Sequence, residues 1–237
     1  MNKYFTNYVR YFQPIMSSKD GSVHHYEMLL RKTDGSTAFH DIQAMERNGE
    51  IPQLDLANVS FAINKINKNS TSKPIAVNVS SSSLMNDNFF NALCNELRAC
   101  KNKSLISIEL TETGHSPDIP KLREYFEILQ DAGIKISADD FSSGFMDEKV
   151  VKSLPFNNIK IDRNLVQGMM SSNDDLQRVK DIISYAKQND ITVTAEFVDS
   201  QEILEAVRGL GIDYAQGFYL AEPSPNMKNT NDSGYTI

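Results

Sequence analysis

Four carboxylates, Glu27, Glu109, Asp139 and Glu196, recur on the polar side of short, branched, apolar segments, and a fifth, Asp140, follows Asp139 directly. One amide, Asn78, and one lysine, Lys160, fall at equivalent places in two more such segments. Gathered together, these carboxylates could not all stay ionised without cations, because like charges raise one another's pKa. Oxygen ligands with an amide select a hard cation such as Mg²⁺ or Mn²⁺. Neither histidine nor cysteine joins the set, which argues against zinc. Adjacent aspartates can divide the ligation of two ions between them, and a two-ion site suits displacement at a phosphoester. Calcium, with more ligands at longer distances, is expected to enter such a site and inhibit. Lys160 inside this ring has two readings: it orients an attacking water, or it merely balances buried carboxylates.

The elements that must position these groups follow from periodicity. Apolar runs that read as strands lie at 8–16, 23–31, 74–80, 104–110, 134–141, 158–162, 192–198 and 214–220, with helical stretches around 54–68, 83–99, 118–132, 174–189 and 200–210. Side chains alternate faces along a strand. One parity is apolar, as in Val77, Val79, Ile108, Leu110, Ile136, Ile159, Ile161 and Val193. The other holds Glu27, Asn78, Glu109, Asp139, Lys160, Glu196 and Gln216. Alternating strands and helices imply an α/β fold with the helices outside. Eight strands in a chain of 237 residues favour a single (β/α)8 TIM-like barrel. The apolar parity then meets the helices, and the polar one converges on the axis near the strands' C-terminal ends. No helix fits between the first two strands, so the N-terminal strand is expected to run antiparallel. The barrel domain is assigned to 1–225 and a polar, flexible tail to 226–237.

Composition narrows the function classes. A net charge of −7 gives no basic face, so DNA binding is not expected. Cys94 and Cys100 make no disulfide framework. Neither a signal-peptide core nor a run near the roughly 20 apolar residues of a membrane span is present, so a cytoplasmic location and no membrane segment are expected. Any sensing is expected to come from a regulatory protein partner or from control of the protein's expression.

The motifs resemble those of the EAL-domain cyclic di-GMP phosphodiesterases over about residues 10–225. FQPI at 12–15, EMLLR at 27–31, VNVS at 77–80, IELTET at 108–113, ADDF at 138–141, LPFNNIKID at 154–162, AEFVDS at 195–200 and LGIDYAQGFYLAEP at 210–223 stand in family order. The resemblance implies hydrolysis of cyclic di-GMP to linear pGpG with two Mg²⁺ or Mn²⁺ ions. Glu27, Asn78, Glu109 and Asp139 would bind the first ion, and Asp139, Asp140 and Glu196 the second. Lys160 would orient the water. Gln13, Arg31 and Gln216 would contact the nucleotide, while Glu112 and Asp199 would support the loop after Asp140. That loop also implies homodimer contacts.

Departures from the pattern keep a second reading open: a weakly catalytic domain that acts as a cyclic di-GMP-binding effector or a protein-interaction regulator. Met28 replaces the family's alanine and should point away from the lumen. Ser142 replaces a glycine, and Met146, Asp147 and Glu148 replace small or apolar residues. Either these changes are compensated, or they loosen the second ion and slow turnover. Phe197 replaces the glycine after Glu196, and strand parity places its ring between barrel and helix, clear of the mouth.

Overall fold

The computed structural model of the protein describes residues 6–68, 71–111, 118–141 and 148–227. Glu112, the loop residues 142–147 and the tail from 228 onward lie outside the described residues. Strands β1 (Tyr8–Ser17), β2 (Val23–Lys32), β3 (Ile75–Ser80), β4 (Ile106–Thr111), β5 (Lys135–Phe141), β6 (Asn158–Ile161), β7 (Thr192–Ala195) and β8 (Tyr214–Ala215) close in sequence order into a barrel. β1 runs antiparallel to both β2 and β8, and the remaining neighbours are parallel. The reason is connection length. Only a tight turn joins β1 to β2, with Ser17 N–H donating to the Ser22 carbonyl at 2.8 Å and Gly21 at φ 70°. A parallel pair would need a crossover of a dozen residues or more.

The described helices are α1 (Phe39–Arg47), α2 (Ile51–Asn67), α3 (Ser81–Leu84), α4 (Asp87–Arg98), α5 (Ile119–Asp131), α6 (Glu148–Ser153), α7 (Arg163–Gly168), α8 (Asn173–Gln188) and α9 (Gln201–Leu210). Several start on a side-chain cap: Asp118, Asp162, Ser172 and Ser200 each accept the N–H three residues on. Against the barrel these helices bury the apolar parity of the strands, in one continuous core that includes Val77, Val79, Ile108, Leu110, Ile136, Ile159, Ile161 and Val193. Met28 joins that core at 4 % exposure and so faces away from the lumen, as its parity required. None of the described helices is long and apolar enough to cross a membrane.

Three sequence expectations need correction. The eighth strand, expected over 214–220, is only Tyr214–Ala215, and the seventh, expected to reach 198, stops at Ala195. Phe197 adopts φ 51°, which breaks the extended run. Beyond it the two segments trade single bonds, Val198 N–H to the Gln216 carbonyl at 3.0 Å and Tyr219 N–H to the Val198 carbonyl at 3.2 Å. Helix α1 fills a stretch that carried no assignment, and a 3₁₀ turn at Lys103–Leu105 delays β4 to Ile106.

Asp55 on α2 locks the end of β3. Its Oδ2 accepts from the Ser80 N–H at 2.9 Å and the Ser83 hydroxyl at 2.7 Å. Burial pushes its pKa up to about 6, although both serines pull it down. A carboxyl whose folded pKa is raised destabilises the fold above that pKa. The cost is relieved as pH falls from about 6 towards the ordinary value of 3.8. Asp55→Asn, which keeps an acceptor for both donors, is therefore expected to raise stability at pH 8 by on the order of 3 kcal/mol, by about half that near pH 5, and to change little near pH 3. Thermal melts at these pH values check this, and a loss at pH 8 would show that the charge itself is needed.

Candidate active site

Strand register brings the acidic groups to one depth. Gln13 pairs with Glu27, Asn78 with Glu109, Glu109 with Ser137, and Lys160 with Thr194. Glu196 follows β7 and Gln216 follows β8 directly. At the centre lies Lys160, 1 % exposed. Its Nζ is 2.8 Å from Asp139 Oδ1, 2.9 Å from Glu109 Oε2, 2.9 Å from Glu196 Oε1 and 3.4 Å from Glu27 Oε2. Gln216 Nε2 donates to Glu27 Oε2 at 2.6 Å and to Gln13 Oε1 at 3.1 Å. Asn78 Nδ2 donates to Glu27 Oε1 at 3.0 Å, and Gln13 Nε2 donates to the Ala221 carbonyl at 3.1 Å.

One ammonium does not neutralise five carboxylates. Burial pulls the Lys160 pKa down, yet Asp139, Glu109, Glu196 and Glu27 together hold it well above its ordinary value. Burial likewise raises Glu27, but Lys160, Gln216 and Asn78 overcome it and hold that group low. The others go the opposite way. Burial, with Glu27 and Asp139 nearby, pushes Glu109 up to about 8 against the pull of Lys160. Asp139 is raised, chiefly by burial, and Glu196 is held well above its ordinary value by burial and its acidic neighbours. His25, buried near the start of β2, is held down at about 3 by burial and neighbouring cations, so it adds no positive charge near neutrality.

Three buried oxygens in this cluster, Asn78 Oδ1, Glu109 Oε1 and Gln216 Oε1, have no hydrogen-bond donor among the described residues. Buried acceptors without a donor are rare and costly. Excess carboxylate charge and orphaned hard-oxygen acceptors fit a divalent cation. Among the described residues no three acidic groups form a ready-made cage, because four carboxylates close on the lysine ammonium instead. Taking up an ion requires some of them to turn from Lys160.

Above the cluster opens a cavity of about 720 Å³ lined by Gln13, Arg31, Asp199, Gln216 and the acidic floor. Asp140 reaches it through a bulge. The β5–β6 register shifts between Ala138 and Phe141, and Asp140 takes φ 50°, so adjacent aspartates serve the same space. Sequence reasoning missed Phe39, Arg163 and Phe218 in the lining. Phe39 and Phe218 left no periodic signal, since neither is in a strand. Phe197 lines the mouth as well, 44 % exposed, and is not packed between barrel and helix. Parity fails there because the strand has already ended. The glycine usual at that position in the resembling motifs was the available signal of a left-handed backbone. A phenylalanine in this conformation costs about 1–2 kcal/mol.

Gly217 makes the β7–β8 crossing possible. A Cβ on Gly217 would strike the backbone nitrogen, carbon and oxygen of Val198. Gly217→Ala is expected to destabilise the protein by roughly 2–3 kcal/mol, through backbone overpacking, and to disturb the backbone bonds of Gln216 with Ala195 and Val198. A denaturant midpoint equal to the wild type would contradict this contact.

Comparison with known proteins places this geometry. The EAL domain family profile matches residues 6–223. Cyclic di-GMP phosphodiesterase PdeA of Borreliella burgdorferi is 38% identical over 120 residues, 51% of this chain and 18% of that protein. The chain spans less than half the length of that relative and of the next curated ones. Among solved structures, a standalone EAL protein of Vibrio cholerae O395 in its c-di-GMP bound form superposes with a TM-score of 0.84 at 19% identity, covering 94% of this chain and 95% of that one. The PaMucR phosphodiesterase in complex with c-di-GMP superposes at 0.83 with 26% identity, covering 93% of each chain.

Proposed function

The chain belongs to the EAL domain family, and from that premise we propose that it is a phosphodiesterase that opens one phosphodiester of cyclic di-GMP to give linear pGpG. The observation that carries this reading is the convergence of Glu27, Asn78, Glu109, Asp139 and Glu196 at one depth beneath an open cavity, with buried oxygens that lack donors. Glu27, Asn78, Glu109, Asp139, Asp140 and Glu196 would hold two Mg²⁺ or Mn²⁺ ions, which supply an activated water and neutralise charge on the phosphodiester. Lys160, whose ammonium lies among these carboxylates, would orient the nucleophile's oxygen. Arg31 offers its planar fork of donors to a phosphate. Gln13 and Gln216, bonded to one another, fix the edge of the nucleotide nearest β1 and β8. Asp199 at the rim supports the loop that follows Asp140.

The closure of four carboxylates on Lys160 favours a second reading, a cyclic di-GMP-binding effector that turns over weakly. Incubation of the purified protein with cyclic di-GMP and Mg²⁺ or Mn²⁺, followed by separation of the nucleotides, decides between them. Accumulating pGpG supports the enzyme, and saturable binding without product supports the effector. Adding Ca²⁺ to the Mg²⁺ reaction is expected to slow it, and equal turnover in Ca²⁺ alone would defeat the coordination argument.

A further inference from the structure

Phe197 is out of place as a structural residue. Its backbone sits at φ 51°, a conformation that disfavours a bulky side chain, and the residue is 44 % exposed at the mouth of the cavity. Residues held in such conformations persist when the surroundings over-determine them, and they cluster at ligand clamps. Here the surroundings include Arg163, whose guanidinium lies 5.3 Å from the Phe197 ring centroid. Arg163 opens α7 after β6, and Phe197 follows β7, next to Glu196. Both side chains line the cavity that holds Asp139 and Asp140. In an eight-stranded barrel closed in sequence order, β6 lies four places from β2, directly across the mouth. β2 carries Arg31, and Phe39 opens the helix after it. The mouth therefore carries an arginine and an aromatic ring at each of two opposite edges. A nucleotide with two purines and two phosphates has the same paired chemistry.

We propose that Phe197, held by Arg163, is the stacking platform for one guanine of the nucleotide, across the mouth from Arg31 and Phe39. This rests on the reading of the site as one for cyclic di-GMP. One face of the ring meets the guanidinium, and the remaining exposed surface takes the base. Base–aromatic stacking contributes on alanine substitution about 1–3 kcal/mol per base in other proteins, a loss of about 5- to 150-fold in affinity. The platform is set by ring shape, so another aromatic side chain should replace it and an aliphatic one should not.

The test is equilibrium titration of cyclic di-GMP in Ca²⁺, with the nucleotide recovered and checked as intact, for wild type, Phe197→Gly, Phe197→Leu and Phe197→Tyr. Thermal midpoints are measured alongside. Expected are binding weaker by about fivefold or more for the Gly and Leu variants, and binding within about threefold of wild type for the Tyr variant. The Gly variant, relieved of backbone strain, should melt no lower than wild type. Wild-type-like affinity in the Gly or Leu variant overturns the platform while the site reading stands. Equal weakness of the Tyr and Leu variants, or a lowered midpoint in the Gly variant, marks Phe197 as structural and also overturns it. Failure of the wild type to bind overturns both the platform and the reading on which it rests.

Discussion

Glu27→Ala, purified and folded, is expected to open cyclic di-GMP at least about a thousandfold more slowly than wild type, and Asp139→Asn to match it. A group that holds the catalytic cations acts on every step of phosphoester displacement, so its removal lowers the rate and not only the affinity. Folding should survive for a definite reason. Glu27→Ala leaves the Asn78 and Gln216 amides without their shared acceptor, which costs about 1–3 kcal/mol. The same change removes one negative charge from a crowded cluster, which relieves Glu109 and Glu196, both of which Glu27 pushes up. Circular dichroism checks the fold and product chromatography the rate. Wild-type turnover in either variant would move the catalytic centre elsewhere.

Lys160→Met should show the second-largest effect, and in two separable quantities. Four buried carboxylates lose their common counter-charge. Breaking a buried ion pair from one side costs roughly 3–5 kcal/mol. The loss should be largest at pH 8 and shrink on acidification, because the orphaned carboxylates, with pKa values raised further, take up protons and shed the repulsion. A divalent cation binding only the folded state restores stability by mass action. Millimolar Mg²⁺ should therefore raise the melting point of the variant more than that of the wild type. The rate at saturating nucleotide is expected to fall about a hundredfold or more, with affinity nearly kept. Titration and single-turnover measurements separate these quantities. A variant that loses binding but keeps its bound-state rate would make Lys160 a ligand-capturing residue.

Much of this site was legible in the sequence because a strand's period of two is rigid. Val77, Ile108, Ile136, Ile159 and Val193 point outward together, so Asn78, Glu109 and Lys160 had to point inward. The antiparallel β1 was legible from the missing crossover helix. Legibility ended where the strands did. Phe197 was assigned to the helix-facing side by a parity that a residue at φ 51° no longer obeys. β8 was drawn too long because GFYL is as apolar as a strand, although a glycine pressed against the Val198 backbone turns the chain there. Asp140 belongs to the mouth through a bulge, which shifts register without a marked change in composition. Phe39, Arg163 and Phe218 became neighbours of the acids only through loops, where spacing in sequence says nothing of distance.

The antiparallel first strand has a consequence for the nascent chain. Met16 and Ser17 pair with Ala215 and Tyr214, and Phe12 exchanges backbone bonds at 2.7 and 3.1 Å with Ser224. As the ribosome releases the polypeptide, β1 meets β2 at once as a hairpin, but its other edge must wait for some two hundred further residues. Throughout that interval a row of unpaired amides is open to any passing strand, the kind of edge through which incomplete chains aggregate. The Gln13–Gln216 bond is made only at closure, so the acidic cluster receives its last ordering contact with the final strand. A chain stopped before Tyr214 is thus an open, sticky sheet, and under the proposed function the ability to bind nucleotide should appear late and all at once during synthesis.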